Sequence, residues 1–206
     1  MREQERLWPS LRGFGLPVPT RIEILCAPLR RAWSVPAPAG LPSGADEARW
    51  FSEYIAATWE EVNRPCSRRV VDQDLAFAET REAAFDPEAA VLVHGDDHSA
   101  NALQAPGHPP SPPRFKPADP DGLLAEPAYD LAIPTRKWNR ELLDGDAARL
   151  GHERCGHPSR LTGVHPRGIW KWGFVERVST GLLALQVDAD PSERGMLTPS
   201  PSPGRQ

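Results

Sequence analysis

Residues Val91–Asn101 read "VLVHGDDHSAN", and this stretch decides how the rest of the chain is interpreted. The triplet at its start is apolar and rich in β-branched residues, which predicts a short buried strand. Six of the eight positions from His94 to Asn101 then carry polar or charged side chains. Because burying such groups without partners is costly, so many of them together are typical of a functional site. The stretch therefore predicts a functional loop at the end of a strand.

The composition limits the class of protein. A chain of 206 residues with 39% hydrophobic and 25% charged residues is long enough for one globular domain, and its 24 prolines predict several rigid connections. A net charge of −4 provides no basic field for nucleic acid and favours a cationic small-molecule partner. No apolar run approaches a membrane span, and no apolar segment of a signal peptide is present. We expect a soluble, cytoplasmic protein without a membrane partner.

The three cysteines are widely separated in the sequence. Cys26, Cys66 and Cys155 form no Cys-x-x-Cys pair, so their spacing indicates neither a disulfide framework nor a zinc site. Each is most simply a small buried hydrophobic residue, which fits a reducing cytoplasm.

Helical patterns precede the polar loop. "TRIEILCAPLRRAW" predicts a helix over 20–33, followed by a loop rich in proline and glycine. Over 44–63 a second helix is predicted from one apolar stripe at spacings of three and four, formed by Ala48, Phe51, Ile55, Trp59 and Val62. A third helix is predicted to hold Pro65 in its first turn and to align Val71, Leu75 and Ala78.

Short strands and further helices follow the loop. "NALQA" and "FKPADPDG" predict a β-hairpin in which Pro117 weakens its strand or forces an edge position. Helices are predicted over 128–155, where Pro134 should kink or end a turn, and over 165–187, and the Pro/Ser-rich end is predicted to be disordered. The fold class is therefore α+β, mostly helical, with a small central β-hairpin next to the loop.

The spacing within the polar loop matches that of a phosphoryl-transfer site. The catalytic loop of protein kinases is H-R-D-x-x-x-x-N, in which Asp receives the hydroxyl proton and Asn holds a metal. Here His94 and Asp96 are followed by Asn101 five residues after the acid. A second carboxylate, Asp119, comes from the far strand of the hairpin, and Asp121 could add a water-mediated contact. Oxygen ligands in small number suit Mg²⁺.

Two motifs in order resemble one known family. "VLVHGDDHSAN" followed by "FKPADPDGLLAEPAYDLA" is similar to the catalytic core of the aminoglycoside phosphotransferase superfamily, whose kinase-like fold carries an H-G-D-x-H-x-x-N loop. Segments 64–91 and 160–183 resemble its streptomycin and hydroxyurea kinase branch. The resemblance spans about Ala48 to Leu185, and it implies the C-terminal lobe of a protein-kinase-like fold.

The resemblance implies roles for individual residues. Asp96 matches the catalytic base. His94 and His98 belong to the same catalytic set, in which His94 fixes the loop and His98 has a supporting role. Asn101 and Asp119 match the residues that bind Mg²⁺ and, through it, the ATP cofactor. In addition, Asp130 resembles an acid that anchors the loop, whereas Asp97 occupies a variable position and should face elsewhere.

The implied activity is ATP-dependent phosphorylation of an alcohol group on a small, cationic antibiotic. Streptomycin-type aminoglycosides and hydroxyurea are the implied substrates, and the implied outcome is antibiotic resistance. The residues before the loop contain neither a G-x-G-x-x-G loop nor a V-A-I-K-like strand, so we expect other sequence to supply an N-terminal lobe. The expected division is 1–43 as helix and loop, 44–187 as the kinase-like lobe and 188–206 as a tail.

Two alternatives to an active kinase remain open. The chain could be a catalytically impaired, truncated remnant of such a kinase, since nucleotide-binding motifs are not found. It could also be a metal-dependent hydrolase, because the alternation of His94, Asp96 and His98 can chelate a transition metal. Such a site needs further ligands, and the remaining histidines lie in distant segments.

Overall fold

The computed structural model describes residues 9–105, 114–135 and 146–187. Six helices and four short strands are described in these ranges. The helices are α1 (Val18–Ala32), α2 (Gly44–Glu61), α3 (Arg68–Ala83), α4 (Ala128–Ala132), α5 (Ala147–Thr162) and α6 (Pro166–Gln186). The strands are β1 (Val91–Val93), β2 (Ala102–Gln104), β3 (Phe115–Pro117) and β4 (Leu123–Ala125). The chain is thus mostly helical with a small β component, as the sequence predicts.

Helix α2 shows why the apolar stripe was informative. Its first turn is closed by a capping box, in which the Asp46 amide donates to Ser43 Oγ and the Ser43 amide donates to the Asp46 carboxylate, both over 3.1 Å. The stripe then faces inward, with four of its five members buried and Val62 half-buried, namely Ala48, Phe51, Ile55, Trp59 and Val62. The prediction for this helix is confirmed.

Helix α3 starts later than predicted. Pro65 lies outside the helix, which begins at Arg68 after Ser67. The chain must first reverse direction after α2, and it does so with Asn63 and Arg64 in left-handed backbone conformations. Pro65 therefore belongs to the turn, and the expectation that it forms the first helical turn is wrong. Farther along, Val71 and Ala78 are buried as predicted.

The strands form two antiparallel pairs. β2 pairs with β3, with Ala102 opposite Pro117, so the predicted hairpin is present and Pro117 lies in a two-stranded sheet that has only edges. β1 pairs with β4, Val91 opposite Ala125. The sequence pattern does not predict β4, because three residues without alternation carry no strand signal of their own. The pairing of β4 with β1 brings the "DPDG" segment back to the polar loop.

Helix α6 lies at the centre of the core and packs against α2, α3, α4 and α5. Helix α4 ends at Ala132, and a short 3-10 turn containing Pro134 follows it, as predicted. Helix α1 buries Ile22, Cys26 and Leu29 in the same core, and the division of the chain at residue 43 stays a prediction. Cys26, Cys66 and Cys155 are all buried and free. In the part of the chain that the structure describes, no helix is long and apolar enough to cross a membrane.

Three predictions fall outside the described residues. These are the tip of the hairpin, the middle of the helical stretch predicted over 128–155, and the tail over 188–206.

Asp74 of α3 is a fully buried acid. Neither of its carboxyl oxygens has a hydrogen-bond partner among the described residues, and burial raises its pKa to about 8. The folded protein therefore holds a proton at Asp74 that the unfolded chain releases above pH 4. Stability contributed by this proton is present at low pH and is lost as pH rises from about 4 to about 8.

Replacing Asp74 with asparagine should therefore stabilise the protein at pH 8, by roughly 1 kcal/mol or more. The gain should shrink as the pH is lowered toward 5 and vanish near pH 4, because the unfolded wild-type chain then gives up less free energy, and finally none, when Asp74 binds its proton on folding. Urea unfolding at several pH values measures this. The matched control is Asp72→Asn on the same helix, since Asp72 is exposed and pairs with Arg68. A pH dependence that is identical in both variants would contradict the assignment.

Candidate active site

The polar loop is held at its base by Asp130 of α4. The backbone N–H groups of His94 and Gly95 donate to the two carboxylate oxygens of Asp130 over 3.2 and 3.0 Å, and Trp33 Nε1 adds a third bond of 2.8 Å. Burial raises the pKa of Asp130, while these three hydrogen bonds act in the opposite direction. An anchoring contact of this kind is what the family resemblance implies for Asp130.

Gly95 allows the loop to meet the "DPDG" segment closely. Its backbone is left-handed, with φ of 87°, and a Cβ atom placed on it would lie 3.0 Å from Asp121 Cβ and 3.1 Å from Leu123 Cδ2. A side chain at this position would be strained by its backbone angle and crowded by both neighbours. The glycine thus brings the loop against the strand connection that carries Asp119 and Asp121.

Asp96 is half-buried and is oriented by Asn101. The Asn101 side-chain N–H₂ group donates to both the backbone carbonyl and the Oδ2 atom of Asp96, each over 3.0 Å. This arrangement closes the loop on itself across five residues and fixes the direction of the Asp96 carboxylate. Because the side-chain N–H₂ group of Asn101 makes both of these bonds, the Oδ1 atom of the same amide remains an acceptor.

His98 is a second neighbour of the Asp96 carboxylate. Its Nδ1 atom accepts hydrogen bonds from the backbone N–H groups of Ala100 and Asn101, over 3.2 and 3.3 Å. A neutral imidazole that accepts at Nδ1 carries its proton on Nε2. His98 Nε2 lies 3.5 Å from Asp96 Oδ2, so its N–H faces the carboxylate.

His94 lies beneath the loop rather than beside the Asp96 carboxylate. It is 8% exposed, and its Nδ1 atom accepts from the Asp96 backbone N–H over 3.3 Å. The Nε2 atom is buried and has no partner within the described residues. This position suits a residue that shapes the loop.

Asn101 and Asp119 are placed at neighbouring ends of the hairpin. The Ala118 backbone N–H donates to the Asn101 carbonyl over 2.8 Å, which extends the β2–β3 ladder by one step. Asp119 follows directly, exposed and with a left-handed backbone of φ 61°. Two protein oxygens fit Mg²⁺, which retains waters and phosphate oxygens for the rest of its shell.

The hydrolase alternative gains no support from this geometry. In residues 9–105, 114–135 and 146–187, no group of three or more His, Cys, Asp or Glu side chains is arranged to hold a metal ion. A transition-metal hydrolase site needs such a group.

Asp97 is buried inside the protein, whereas Asp96 is half-buried. Neither Asp97 carboxyl oxygen has a hydrogen-bond partner among the described residues, and burial, together with Asp130 and Asp96, raises its pKa to about 8. Its charge also raises the pKa of Cys26 on α1, which places the two side chains near one another. The expectation that Asp97 faces elsewhere is confirmed.

Two contributions to the site were missed by sequence reasoning. Trp33 reaches Asp130 from 97 positions away, and the N-terminal segment at Pro9–Arg12 lies beside β2, where Arg12 N–H donates to the Ser99 carbonyl over 2.8 Å. Neither residue belongs to a motif. Their roles depend on tertiary contacts between distant segments, for which a single sequence gives no signal.

The known proteins to which this chain is similar are kinases and phosphotransferases. No family model matches the chain. Streptomycin 6-kinase from Streptomyces glaucescens is 27% identical over 165 residues, which is 79% of this chain and 51% of that protein. The chain therefore spans about half the length of this relative.

Solved structures with the same fold are also kinases and phosphotransferases. A Plasmodium vivax ethanolamine kinase superposes with a TM-score of 0.53 at 16% identity, over 87% of this chain and 58% of that one. A spectinomycin phosphotransferase in complex with ADP and spectinomycin gives 0.52 at 15% identity, over 92% and 64%. A choline kinase from Cryptosporidium parvum gives 0.52 at 11%, over 91% and 64%. These likenesses confirm the kinase-like fold, and together with the homologue they confirm the resemblance seen in the sequence.

Proposed function

Because the chain is a homologue of a streptomycin kinase and has the fold of the aminoglycoside phosphotransferase superfamily, we propose that it acts in ATP-dependent phosphorylation of an alcohol group on a small molecule. The observation that carries the proposal is the arrangement around Asp96. Its carboxylate is oriented by Asn101 and His98 inside a loop anchored by Asp130. A carboxylate fixed in this way is what hydroxyl activation requires.

In the proposed reaction Asp96 receives the proton of the substrate hydroxyl. The hydroxyl oxygen forms a bond to the γ-phosphorus of ATP as the bond from that phosphorus to the bridging oxygen breaks, so that ADP leaves with the electron pair. The His98 N–H keeps the Asp96 carboxylate in its orientation while the carboxylate takes up the proton. Asn101 and Asp119 would hold Mg²⁺, which neutralises phosphate charge when bound. Most of the rate enhancement would come from positioning and charge neutralisation.

The charges near the loop favour a cationic acceptor. Glu47 of α2 has its pKa raised first by burial and then by Glu176 and Asp121, so these three carboxylates lie near one another. Tyr129 Oη donates toward Glu176 over 2.9 Å and lies 3.3 Å from Glu47. Asp121 is the exposed member of the three and lies against the Asp96 loop, since a Cβ atom placed on Gly95 would be 3.0 Å from Asp121 Cβ, whereas Glu176 is buried. A streptomycin-type aminoglycoside is therefore the substrate class we propose first, with hydroxyurea second and antibiotic resistance as the resulting phenotype.

The experiment is a phosphoryl-transfer assay with purified protein. Transfer of labelled γ-phosphate from ATP is measured with streptomycin, spectinomycin, hydroxyurea, choline and ethanolamine, with and without Mg²⁺. Each reaction is run with the chain alone and with the half of the Streptomyces glaucescens kinase that the chain does not match. We expect Mg²⁺-dependent transfer to at least one aminoglycoside. No transfer to any acceptor in either arrangement would refute the proposal.

A second candidate is a remnant that folds but does not turn over. It is favoured by the residues before the loop, which contain neither a G-x-G-x-x-G loop nor a V-A-I-K-like strand. Titration calorimetry with Mg-ATP separates the two candidates. Saturable binding in the sub-millimolar range would favour the kinase, whereas a folded protein without detectable binding would favour the remnant.

A further inference from the structure

A groove separate from the Asp96 loop runs between α1 and the β2–β3 hairpin. Its volume is about 780 Å³, within the range of small-molecule sites. Ile24 and Pro28 of α1 form one apolar wall, and Phe115 of β3 forms the other. Phe115 is buried and packs edge-on against Phe14 at 5.1 Å between ring centroids, so this wall is fixed by the core beneath it.

Three positive charges line the groove, and none has a described counter-charge. Arg31, Arg114 and Lys116 are exposed and take part in no ion pair with any other residue that the structure describes. Several other exposed arginines do pair with carboxylates, for example Arg49 with Glu82 and Arg64 with Glu60. In a chain with a net charge of −4, three exposed cations around one groove form a local anion-attracting region. The groove therefore combines apolar walls with positive charge.

We infer that this groove binds a small molecule that has an anionic group and a flat apolar part. The anionic group of the ligand would bind to Arg31, Arg114 and Lys116. Its apolar part would lie between Phe115 and the wall formed by Ile24 and Pro28. Binding would relieve the mutual repulsion of the three cations. Lys116 belongs to β3 and precedes the proposed Mg²⁺ ligand Asp119 by three residues, so the groove and the Asp96 loop are connected through this short strand. The inference does not depend on the proposed phosphotransferase activity.

The test uses two probes that share the same rings. 8-Anilinonaphthalene-1-sulfonate carries the anionic group, and N-phenyl-1-naphthylamine lacks it. Fluorescence titration of the full chain should show about one saturable site for the sulfonate and at least tenfold weaker binding of the uncharged probe. The double variant Arg31→Glu/Lys116→Glu should weaken sulfonate binding at least tenfold.

The matched control is Arg30→Glu, on the same turn of α1. Arg30 donates to the Leu161 carbonyl and does not line the groove. Arg30→Glu therefore makes outside the groove the same charge change that Arg31→Glu, measured alone beside the double variant, makes within it. Circular dichroism confirms that each variant is folded, and the neutral pair Arg31→Gln/Lys116→Gln replaces the double variant if it is not. The inference is overturned if the sulfonate does not bind saturably, if both probes bind equally, or if Arg30→Glu weakens binding as much as the groove variant.

Discussion

Replacing Asp96 with asparagine is expected to lower the turnover number of phosphoryl transfer about 100- to 10,000-fold, the usual contribution of general base catalysis. Asparagine has the same shape and can still accept from the Asn101 side chain, so the loop should keep its geometry. The amide has no basic oxygen to take the hydroxyl proton. The thermal unfolding midpoint should therefore stay within about 2 °C of wild type. Labelled-phosphate transfer and calorimetry measure the two quantities on the same samples.

The adjacent acid provides the control for this prediction. Asp97 is buried, has no hydrogen-bond partner in the described part of the chain and has a pKa of about 8, so at pH 7 it is mostly protonated and asparagine is a close mimic. Turnover of Asp97→Asn should stay within about threefold of wild type. Equal turnover in Asp96→Asn and wild type, or a greater loss in Asp97→Asn than in Asp96→Asn, would contradict the proposed role of Asp96.

Replacing Asp130 with alanine is expected to lower the free energy of unfolding by about 3 kcal/mol or more. The change removes the acceptor of three donors, the backbone N–H groups of His94 and Gly95 and the indole of Trp33. Each buried donor left without a partner costs about 1–3 kcal/mol. The change also relieves the burial of a charge, which offsets part of the loss. Three lost bonds should outweigh this relief.

Urea unfolding at pH 7 measures the effect, and Asp97→Asn again serves for comparison. Both acids are fully buried and lie in the same site, but only Asp130 accepts described hydrogen bonds. We therefore expect opposite signs, with Asp130→Ala destabilised and Asp97→Asn unchanged or slightly stabilised. If Asp130→Ala were as stable as wild type, the anchoring contact would contribute nothing to stability.

The loop could be anticipated from sequence because its information is local. The spacing of His94, Asp96 and Asn101 lies within eight positions, and the hydrogen bonds that shape the loop join residues two to five apart. The stripe of α2 was equally informative, since helical periodicity directly reports burial. Where the fold depends on local pattern, single-sequence reasoning gave the right element.

The rest could not be predicted because it depends on pairings between distant segments. β4 consists of Leu123–Ala125, and its pairing with β1 makes it a strand. The start of α3 depends on how the chain reverses after α2, which Asn63 and Arg64 accomplish with backbone angles that no pattern indicates. The same holds for Trp33, whose partner Asp130 lies on another helix.

The bond from Trp33 to Asp130 ties the stability of the loop to that of a distant helix. Trp33 follows the last residue of α1, and Asp130 is the shared partner of that indole and of the His94 and Gly95 backbone. Undocking of α1 would remove one of the three donors that hold Asp130 and would expose the acid to water. Helix α1, the loop and α4 should therefore open together as one cooperative unit in hydrogen exchange. A substitution on the buried face of α1 would then change the rate at which the loop opens without changing the folded structure of the loop.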